Sequence, residues 1–372
     1  MTAGILNDRM IGDLVERGAI LPARPLADGQ VQPASLDLRL GEVAFRVRAS
    51  FLPGRGASVA EKLVRFALHE IDLTAGAVLE TGCVYIVPLL EGLALPDEIA
   101  AAANPKSSTG RLDIFTRVII DDGRQFDLVP PGYEGPLYLE VSPRTFPVLA
   151  RTGSRLTQMR FRRGEAQLSE MELLLLHERE TLVTAEAPSI TERGIAMSVA
   201  LDGRTESSFA DAFHPEGPLV GYRAKRHSAV VDVDRPGEHD VLDYWEPLRA
   251  RGRAELVLDP DQFYILVSRE AIHVPPSHAA EMVPFDPLVG EFRVHYAGFF
   301  DPGFGHGAAG GTGARAVLEV RSHEVPFILE HGQIVGRLVY ERMVEEPRTL
   351  YGSELASNYQ AQGLKLSKHF RT

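Results

Sequence analysis

One short stretch of the sequence gathers side chains that bind anions. From Asn104 to Leu112 it reads Asn-Pro-Lys-Ser-Ser-Thr-Gly-Arg-Leu, so that Lys106, Ser107, Ser108 and Arg111 fall within six residues. Hydroxyl and backbone N–H groups can surround phosphate oxygens, and a guanidinium can bind two phosphate oxygens at once through parallel hydrogen bonds. The stretch therefore indicates a phosphate grip, although an ordinary polar turn that opens a strand has the same composition.

Three carboxylates are of interest, and two of them could act as a base. Asp301 precedes a Pro-Gly pair, which indicates a turn, whereas Glu319 and its counterpart Glu140 each lie between a Leu and a Val. On the solvent face of a strand such a Glu has no special role. In a pocket its pKa rises, and it can act as a base near neutral pH.

Charge and composition exclude several classes of partner. The net charge of −12 argues against a nucleic-acid polymer or an anionic membrane as partner. No apolar run is long enough to span a bilayer, and the first residues do not resemble a secretory leader, so we expect a cytoplasmic protein. The single cysteine, Cys83, cannot form an internal disulfide or a Cys-rich metal site.

Zinc-dependent cytidine deaminases are excluded for the same reason. Their signature is His-x-Glu followed by Pro-Cys-x-x-Cys. His214-Pro215-Glu216 matches the first part, but one cysteine cannot complete the second. The sequence therefore predicts no zinc and no protein-held metal site.

The chain contains an internal repeat. Val84-Tyr85-Ile86-Val87 matches Phe263-Tyr264-Ile265-Leu266 at a shift of 179 residues. The same shift pairs Pro96 with Pro275, Leu139–Val141 with Leu318–Val320, Gly153 with Gly332, and Phe161 with Tyr340. One shift that holds at so many separated points indicates a tandem duplication.

Each half is composed of short strands between Gly and Pro residues. Strands are predicted at Leu137–Val141, Gln262–Val267, Ala316–Val320 and Val335–Tyr340. Helices are predicted only at Asp8–Arg17 and Ser169–Leu182, from apolar spacing and N-capping residues. We expect a mainly β protein with two β-barrel or jelly-roll-like domains. The predicted limits are 1–165 and 221–372, joined by a helix and a polar connector in 166–220.

Four motifs together resemble the dCTP deaminases, which share their fold with the trimeric dUTPases. The motifs are Ser35-Leu36-Asp37-Leu38-Arg39-Leu40-Gly41, the Lys-Ser-Ser-x-x-Arg stretch, Ala297-Gly298-x-x-Asp301-Pro302-Gly303-Phe304, and Tyr359-Gln360-x-Gln362. The resemblance implies two tandem dUTPase-like domains and the hydrolytic, zinc-independent deamination of dCTP.

The resemblance also implies roles for individual residues. Glu319 would activate the water that attacks C4 of the pyrimidine, with Ser107 and Arg111 positioning it, and Asp301 would bind near the sugar 3′-hydroxyl. The remaining substrate-binding positions are Lys106, Ser108, Ala297, Tyr351, Tyr359 and Gln362. Mg²⁺ would be bound through the nucleotide phosphates, and dTTP is a feedback inhibitor in relatives.

The two halves have lost different parts of the family pattern. The first half keeps Ser107 and Arg111 but has Pro130 at the turn position, whereas the second keeps Asp301 but has no Ser or Arg in 286–290. We expect one composite site, with phosphates held by the first half and base and sugar by the second. If this pairing is wrong, Glu140 is the base.

Other departures from the family leave alternatives open. Lys106 stands where the family usually has Arg, and Arg337 replaces the Gln kept as Gln158. Gly305–Ala314 is an added loop that could form a nucleotide lid, although we expect a disordered surface hairpin. A bifunctional enzyme that forms dUMP and a non-catalytic deoxynucleotide-binding regulator are the alternatives. We expect a homo-oligomer, because family members are trimers with sites between subunits.

Overall fold

The computed structural model describes residues 2–203, 217–250, 252, 254–284, 292–295, 298–322, 324–352 and 363–371. The protein is mainly β with few helices, as predicted from the sequence. The helices are α1 (Asp8–Glu16), α2 (Val59–Phe66), α3 (Ser107–Gly110), α4 (Glu170–Arg179) and α5 (Val241–Tyr244).

The first half contributes strands β1 (Gly4–Ile5), β2 (Ile20–Pro22), β3 (Val31–Gln32), β4 (Ser35–Arg39), β5 (Val43–Val47), β6 (Ala67–Asp72), β7 (Ala77–Leu79), β8 (Val84–Ala94), β9 (Ile99–Pro105), β10 (Ile114–Ile120), β11 (Leu128–Val129), β12 (Glu134–Pro143), β13 (Val148–Ala150) and β14 (Arg155–Arg163). The second half contributes β15 (Ile190–Thr191), β16 (Gly194–Ser198), β17 (Leu219–Ala224), β18 (Val231–Asp232), β19 (Trp245–Arg249), β20 (Glu255–Leu258), β21 (Phe263–Ile272), β22 (His278–Pro284), β23 (Phe292–His295), β24 (Phe299–Phe300), β25 (Ala314–Ser322), β26 (Phe327–Glu330) and β27 (Ile334–Arg342).

Each half has two main antiparallel sheets with the same strand order. The first half has β11-β9-β14-β4-β3 and β10-β12-β8-β5-β6, and the second has β24-β22-β27-β16-β15 and β23-β25-β21-β17-β19. Strands β9, β12 and β14 correspond to β22, β25 and β27 at the shift of 179 residues found in the sequence. The correspondence extends to side-chain detail. The hydroxyl of Tyr85 accepts a bond from the backbone N–H of Glu80 at 3.0 Å, and Tyr264 does the same for Asp259 at 2.9 Å.

The two halves share a hydrophobic core. One cluster of buried residues joins first-half strands to Tyr244, Trp245 and Phe263 of the second half and to Phe370 near the C-terminus. A second cluster lies within the second half, around Tyr264 and Tyr340. Since burial of apolar surface is the main favourable term in folding, this shared core fixes one half against the other.

The two predicted helices are confirmed, and their caps explain where they begin. The side chain of Asn7 accepts a bond from the backbone N–H of Met10 at the start of α1. Helix α4 begins after Ser169, which forms a reciprocal capping box with Glu172.

Two expectations about irregular segments are wrong. The region 166–220, predicted to be a helix and a connector, also supplies β15 and β16, and β16 pairs with β27. Its strand signal was weak because polar residues flank a short Gly-Ile-Ala-Met-Ser run. The loop Gly305–Ala314 contains a turn of 3₁₀ helix, and its His306 ring pairs with Glu180 at 2.8 Å.

Of the described residues, none belongs to a helix that is long and apolar enough to cross a membrane.

Candidate functional site

The anion-binding stretch folds as a tight turn at the end of a strand. Strand β9 ends at Pro105, and the backbone N–H groups of Thr109 and Gly110 donate to the carbonyl of Lys106 at 2.8 and 3.0 Å. The N–H of Arg111 donates to the Ser107 carbonyl at 3.1 Å. These bonds form α3. They place Lys106, Ser107, Ser108 and Arg111 on one compact turn.

The Glu319 carboxylate of the second half lies directly against this first-half turn. A Cβ atom added to Gly110 would stand 2.7 Å from Oε2 and 2.9 Å from Oε1 of Glu319. Glu319 is 5% exposed, at the middle of β25, where its backbone pairs with Ile265 on one side and His295 on the other. The structure therefore brings the predicted base and the predicted phosphate grip together within one chain.

Burial dominates the electrostatics of this carboxyl group. Loss of hydration raises the pKa of Glu319 well above its usual value, and the negative charge of Asp113 raises it further. The guanidinium of Arg111 opposes both effects. A buried carboxyl with a raised pKa and one nearby cation has the properties of a general base.

Glu140, the alternative base, has a different environment. Its carboxylate pairs with Arg117 at 2.6 and 3.0 Å, and the guanidinium of Arg117 stacks over the Phe126 ring at 3.6 Å. Tyr138, on the same face of β12, packs under α2 in a separate hydrophobic cluster. The described contacts of Glu140 thus tie it to a strand of its own half, and the turn at 107–111 is not among them.

Asp301 lies in the predicted turn and is bound by an arginine from the other half. Arg160 of β14 approaches its Oδ1 at 3.3 Å and also contacts Glu341 at 3.2 Å. The guanidinium stacks over the Phe299 ring at 4.0 Å. Burial raises the pKa of Asp301, whereas the charges of Arg160 and Lys106 lower it. Both halves of the chain therefore contribute to the surroundings of this carboxylate.

Lys106 forms an ion pair with Asp37 of the Ser-Leu-Asp-Leu-Arg motif. Arg155 approaches the same carboxylate at 3.6 Å. The first and second sequence motifs therefore meet beside the turn, and Lys106 is fixed by this pair.

The C-terminal segment contacts the turn from another side. Residues 363–371 include Lys365, whose carbonyl accepts a bond from Arg111 Nη1 at 3.0 Å, and Ser367, whose hydroxyl donates to the Ser108 carbonyl at 2.7 Å. Arg111 and Ser108 are both buried. The orientation of the grip therefore depends on a segment more than 250 residues away in sequence.

Tyr351 lies close to the Asp301 turn. Its backbone N–H donates to the Pro302 carbonyl at 2.9 Å, and its ring centroid is 5.7 Å from that of Phe304. The predicted binding residues Ala297, Tyr359 and Gln362 lie outside the described residues.

Among the described residues, no group of three or more His, Cys, Asp or Glu side chains is placed to hold a metal ion.

Comparison with known proteins identifies the family. A family model described as the N-terminal domain of 2′-deoxycytidine 5′-triphosphate deaminase matches residues 2–165, and the model of the C-terminal domain matches residues 169–370. The chain belongs to the dCTP deaminase family. Its homologues are named as enzymes, and the chain is an enzyme of this family.

Three relatives illustrate the match to dCTP deaminases. A crystal structure of 2′-deoxycytidine 5′-triphosphate deaminase from Agrobacterium tumefaciens has 66% identity and a TM-score of 0.86, and the match covers 94% of this chain and all of that one. The dCTP deaminase of Halorubrum lacusprofundi is 32% identical over 63% of this chain and 99% of its own length. A dUMP-forming dCTP deaminase of a Sulfurihydrogenibium species is 29% identical over 43% of this chain and 84% of its own length.

Several residues of this dCTP deaminase family site were not singled out from the sequence. Gly110 received no role in the sequence motif, although its lack of a side chain leaves space for the Glu319 carboxylate. Arg160 could have been noticed as a charge between the apolar residues Met159 and Phe161 of β14, where an unpaired guanidinium is costly. Ser367 had no sequence signal, because its role depends on a tertiary contact.

The anchor of the C-terminal segment provides a first prediction. Phe370 is 2% exposed and packs edge-on against Trp245, with ring centroids 5.9 Å apart. We expect Phe370→Ala to release the segment, because it removes the segment's largest buried side chain. Trypsin should then cleave rapidly after Lys365 and Lys368, and the fluorescence of Trp245, the chain's one tryptophan, should change.

The control for this prediction is Leu242→Ala, a change at a 60% exposed residue of α5. It should leave both the cleavage rate and the fluorescence unchanged. Cleavage of Phe370→Ala at the wild-type rate would contradict the anchoring role.

Proposed function

We propose that the protein catalyses the hydrolytic deamination of dCTP to dUTP and ammonia. The observation that carries the proposal is the contact between the buried Glu319 carboxylate and the Ser107–Arg111 turn of the other repeat. A carboxyl with a raised pKa beside an anion-binding turn suits a reaction that activates water within the binding site of a nucleotide. The similarity to proteins named dCTP deaminase supports this substrate.

In the proposed mechanism, ionised Glu319 removes a proton from a water molecule as the water oxygen bonds to C4 of cytosine. The π electrons of the C4=N3 bond move to N3, Glu319 passes its proton on to N3, and a tetrahedral intermediate forms at C4. The ionised Glu319 then takes the proton of the new C4 hydroxyl and transfers it to the 4-amino group. The C4–N bond breaks, ammonia leaves with the electron pair of that bond, and the oxygen lone pair forms the C4 carbonyl of uracil, so that Glu319 is ionised again.

The other predicted residues bind and orient in this proposal. Ser107 and Arg111 position the water and stabilise negative charge that develops at the site. Asp301 accepts a hydrogen bond from the sugar 3′-hydroxyl, and Lys106 and Ser108 contact phosphate oxygens. Tyr351 completes the nucleotide site beside the Asp301 turn, together with Ala297, Tyr359 and Gln362. Mg²⁺ reaches the site on the triphosphate.

The reaction as proposed uses no zinc. The full sequence has one cysteine, and the deaminases that activate water on zinc need a Pro-Cys-x-x-Cys pair in addition to His-x-Glu. In the proposal, the protein groups that activate and position the water are therefore Glu319, Ser107 and Arg111.

A bifunctional reaction is the second candidate. Relatives from Sulfurihydrogenibium and Coprothermobacter proteolyticus are named dCTP deaminase, dUMP-forming. In that case the protein would also hydrolyse the triphosphate and release dUMP and pyrophosphate.

The origin and assembly of the chain form part of the proposal. Matching strand orders in the two halves support a duplication of one dUTPase-like barrel domain. The two repeats then supply complementary parts of one site. We further propose that the protein forms a homo-oligomer and is inhibited by dTTP. Both proposals rest on the similarity to the dCTP deaminase family.

The test is incubation of the purified protein with dCTP and Mg²⁺, with ammonia measured and nucleotides separated. We expect ammonia and dUTP in equal amounts. Ammonia with dUMP and pyrophosphate would favour the bifunctional enzyme. Absence of ammonia from protein that binds dCTP would overturn the proposed deamination.

A further inference from the structure

A buried ion pair joins the two repeats beside the candidate site. Arg321 follows Glu319 by two residues on β25, so both side chains point to the same face of the sheet. Its partner Asp113 follows Arg111 by two residues in the loop after α3. Glu319 and Arg111 therefore each have, two residues further along the chain, a neighbour of opposite charge that reaches across the same boundary.

The contacts around this ion pair fix both partners. Arg321 Nη2 pairs with Asp113 and approaches the Thr145 hydroxyl at 3.1 Å, while its Nη1 donates to the Asp261 carbonyl at 2.8 Å. The Thr145 hydroxyl donates to Asp113 Oδ2 at 2.5 Å. Asp113 is 1% exposed and Arg321 7%. A buried pair with this many additional hydrogen bonds has a defined geometry.

Asp113 has a φ of 55°, a left-handed conformation that Asp, like Gly and Asn, adopts more readily than most residues. One observation indicates that the pair serves the boundary rather than the fold of each repeat. The counterpart of Arg321 in the first repeat is Ser142, which cannot form such a pair. The ion pair is thus absent from the position equivalent to Glu140.

We infer that Asp113 and Arg321 are positioning residues that hold the Glu319 carboxylate against the Ser107–Arg111 turn. This inference rests on the proposed role of Glu319 as the base. By fixing β25 to the loop that follows the turn, the pair sets the distance between a base from one repeat and a phosphate grip from the other.

The pair also has an electrostatic effect on Glu319. Among the described side chains, Arg111 and Asp113 act on this carboxyl directly. Arg321 lies two residues along the same strand, Lys365 interacts with Arg111, and Arg144 interacts with Asp113. Of the charges that act directly, Asp113 raises the pKa of Glu319 and Arg111 lowers it. Removal of the Asp113 charge should therefore lower this pKa.

Asp113→Asn tests the inference because Asn has the same size and tolerates the left-handed conformation. We expect kcat to fall on the order of ten-fold with little change in KM, since a small displacement of a catalytic group has large effects on rate. The acidic limb of the pH profile of kcat/KM should move to lower pH. Arg321→Lys, which keeps the charge but loses the planar fork, should retain more activity than Arg321→Met.

Asp232→Asn is the matched control. Asp232 is also a buried aspartate, paired across the repeats with Arg151 at 2.6 Å, but its charge does not act on Glu319. Asp113→Asn and Asp232→Asn should both lower Tm, and the former alone should change kcat and the pH profile. If Asp113→Asn lowers Tm but keeps the wild-type kcat and pH profile, the inference is wrong. If Asp113→Asn does not fold, the two Arg321 variants replace it in the test. Equal activity of Arg321→Lys and Arg321→Met would then show that the inference is wrong.

Failure of the inference can be distinguished from failure of the proposed function. If the wild-type protein releases no ammonia from dCTP, the proposed function fails. The effect of the Asp113–Arg321 pair on Glu319 can then still be measured by infrared titration of the Glu319 carboxyl. The Glu319 band is identified by subtracting the spectrum of the Glu319→Gln variant from that of the wild type. An unchanged Glu319 titration in Asp113→Asn would overturn the inference without any measurement of activity.

Discussion

Glu319→Gln should abolish ammonia release from dCTP while dCTP binding is retained. Gln keeps the size of the side chain and fits the space beside Gly110, but it cannot accept the proton from water. Loss of a general base lowers rates by about 10²–10⁴-fold. The measurement is kcat from ammonia release, with dCTP affinity determined by calorimetry on the same protein.

Glu140→Gln is the matched control, because it makes the same change at the equivalent strand position of the other repeat. Glu140 pairs with Arg117 and has no described contact with the turn, so its loss should lower stability more than activity. The opposite pattern, with Glu140→Gln inactive and Glu319→Gln active, would reverse the assignment of the base. Equal loss in both variants would indicate that each half contributes to catalysis.

The substitution Glu319→Gln should also change how the stability of the protein depends on pH. The pKa of the folded Glu319 carboxyl lies well above its ordinary value of 4.5, so folding favours the protonated form. Well below pH 4.5 the Glu319 carboxyl is protonated in both the folded and the unfolded state, so its ionisation does not change the free energy of unfolding. As pH rises from 4.5 through the raised pKa, the unfolded state ionises first and the wild type loses stability. The stability of Glu319→Gln relative to wild type should therefore increase over this range.

The sequence allowed the mainly β character of the fold and the two parts of the candidate site to be predicted, because both depend on local patterns. The strands around Glu140 and Glu319 follow from apolar runs between Gly and Pro, and the repeat follows from one constant shift. Complementary losses in the two halves predicted that the turn of one would meet the carboxylate of the other. That contact is present in the structure.

The remaining features depend on tertiary contacts that have no local signal. Helix α2 was missed, although Ser58 and Glu61 form a capping box, because it is short and follows a Gly- and Pro-containing stretch. The strand β16 was missed because it takes its stability from pairing with β27, which is far away in sequence. The contact of Ser367 with Ser108 and the pairing of Arg321 with Asp113 likewise join residues that only the folded chain brings together.

Gly110→Val should lower kcat by about 10²-fold with a smaller effect on folding. The backbone of Gly110 lies in a helical turn without a positive φ, so the backbone itself accepts other residues. The obstacle is the Glu319 carboxylate, which lies 2.7 Å from the position of a new Cβ. The two γ carbons of Val would occupy the carboxylate's place and displace the base by about 1 Å or more, and such displacements lower rates by about 10²-fold. Steady-state kcat and Tm of the same preparations provide the measurement.

A graded series with a control at a second glycine separates this clash from the general effects of a larger residue. Gly110→Ala adds one carbon, which a small rotation of the Glu319 side chain can accommodate, so its loss of activity should be intermediate. Gly12→Val is the control, because a Cβ at this α1 position would meet no atom within 4 Å. Its kcat should equal that of the wild type. If Gly110→Val were as active as Gly12→Val, Glu319 would not need to lie against the turn, and the composite site would lose its main support.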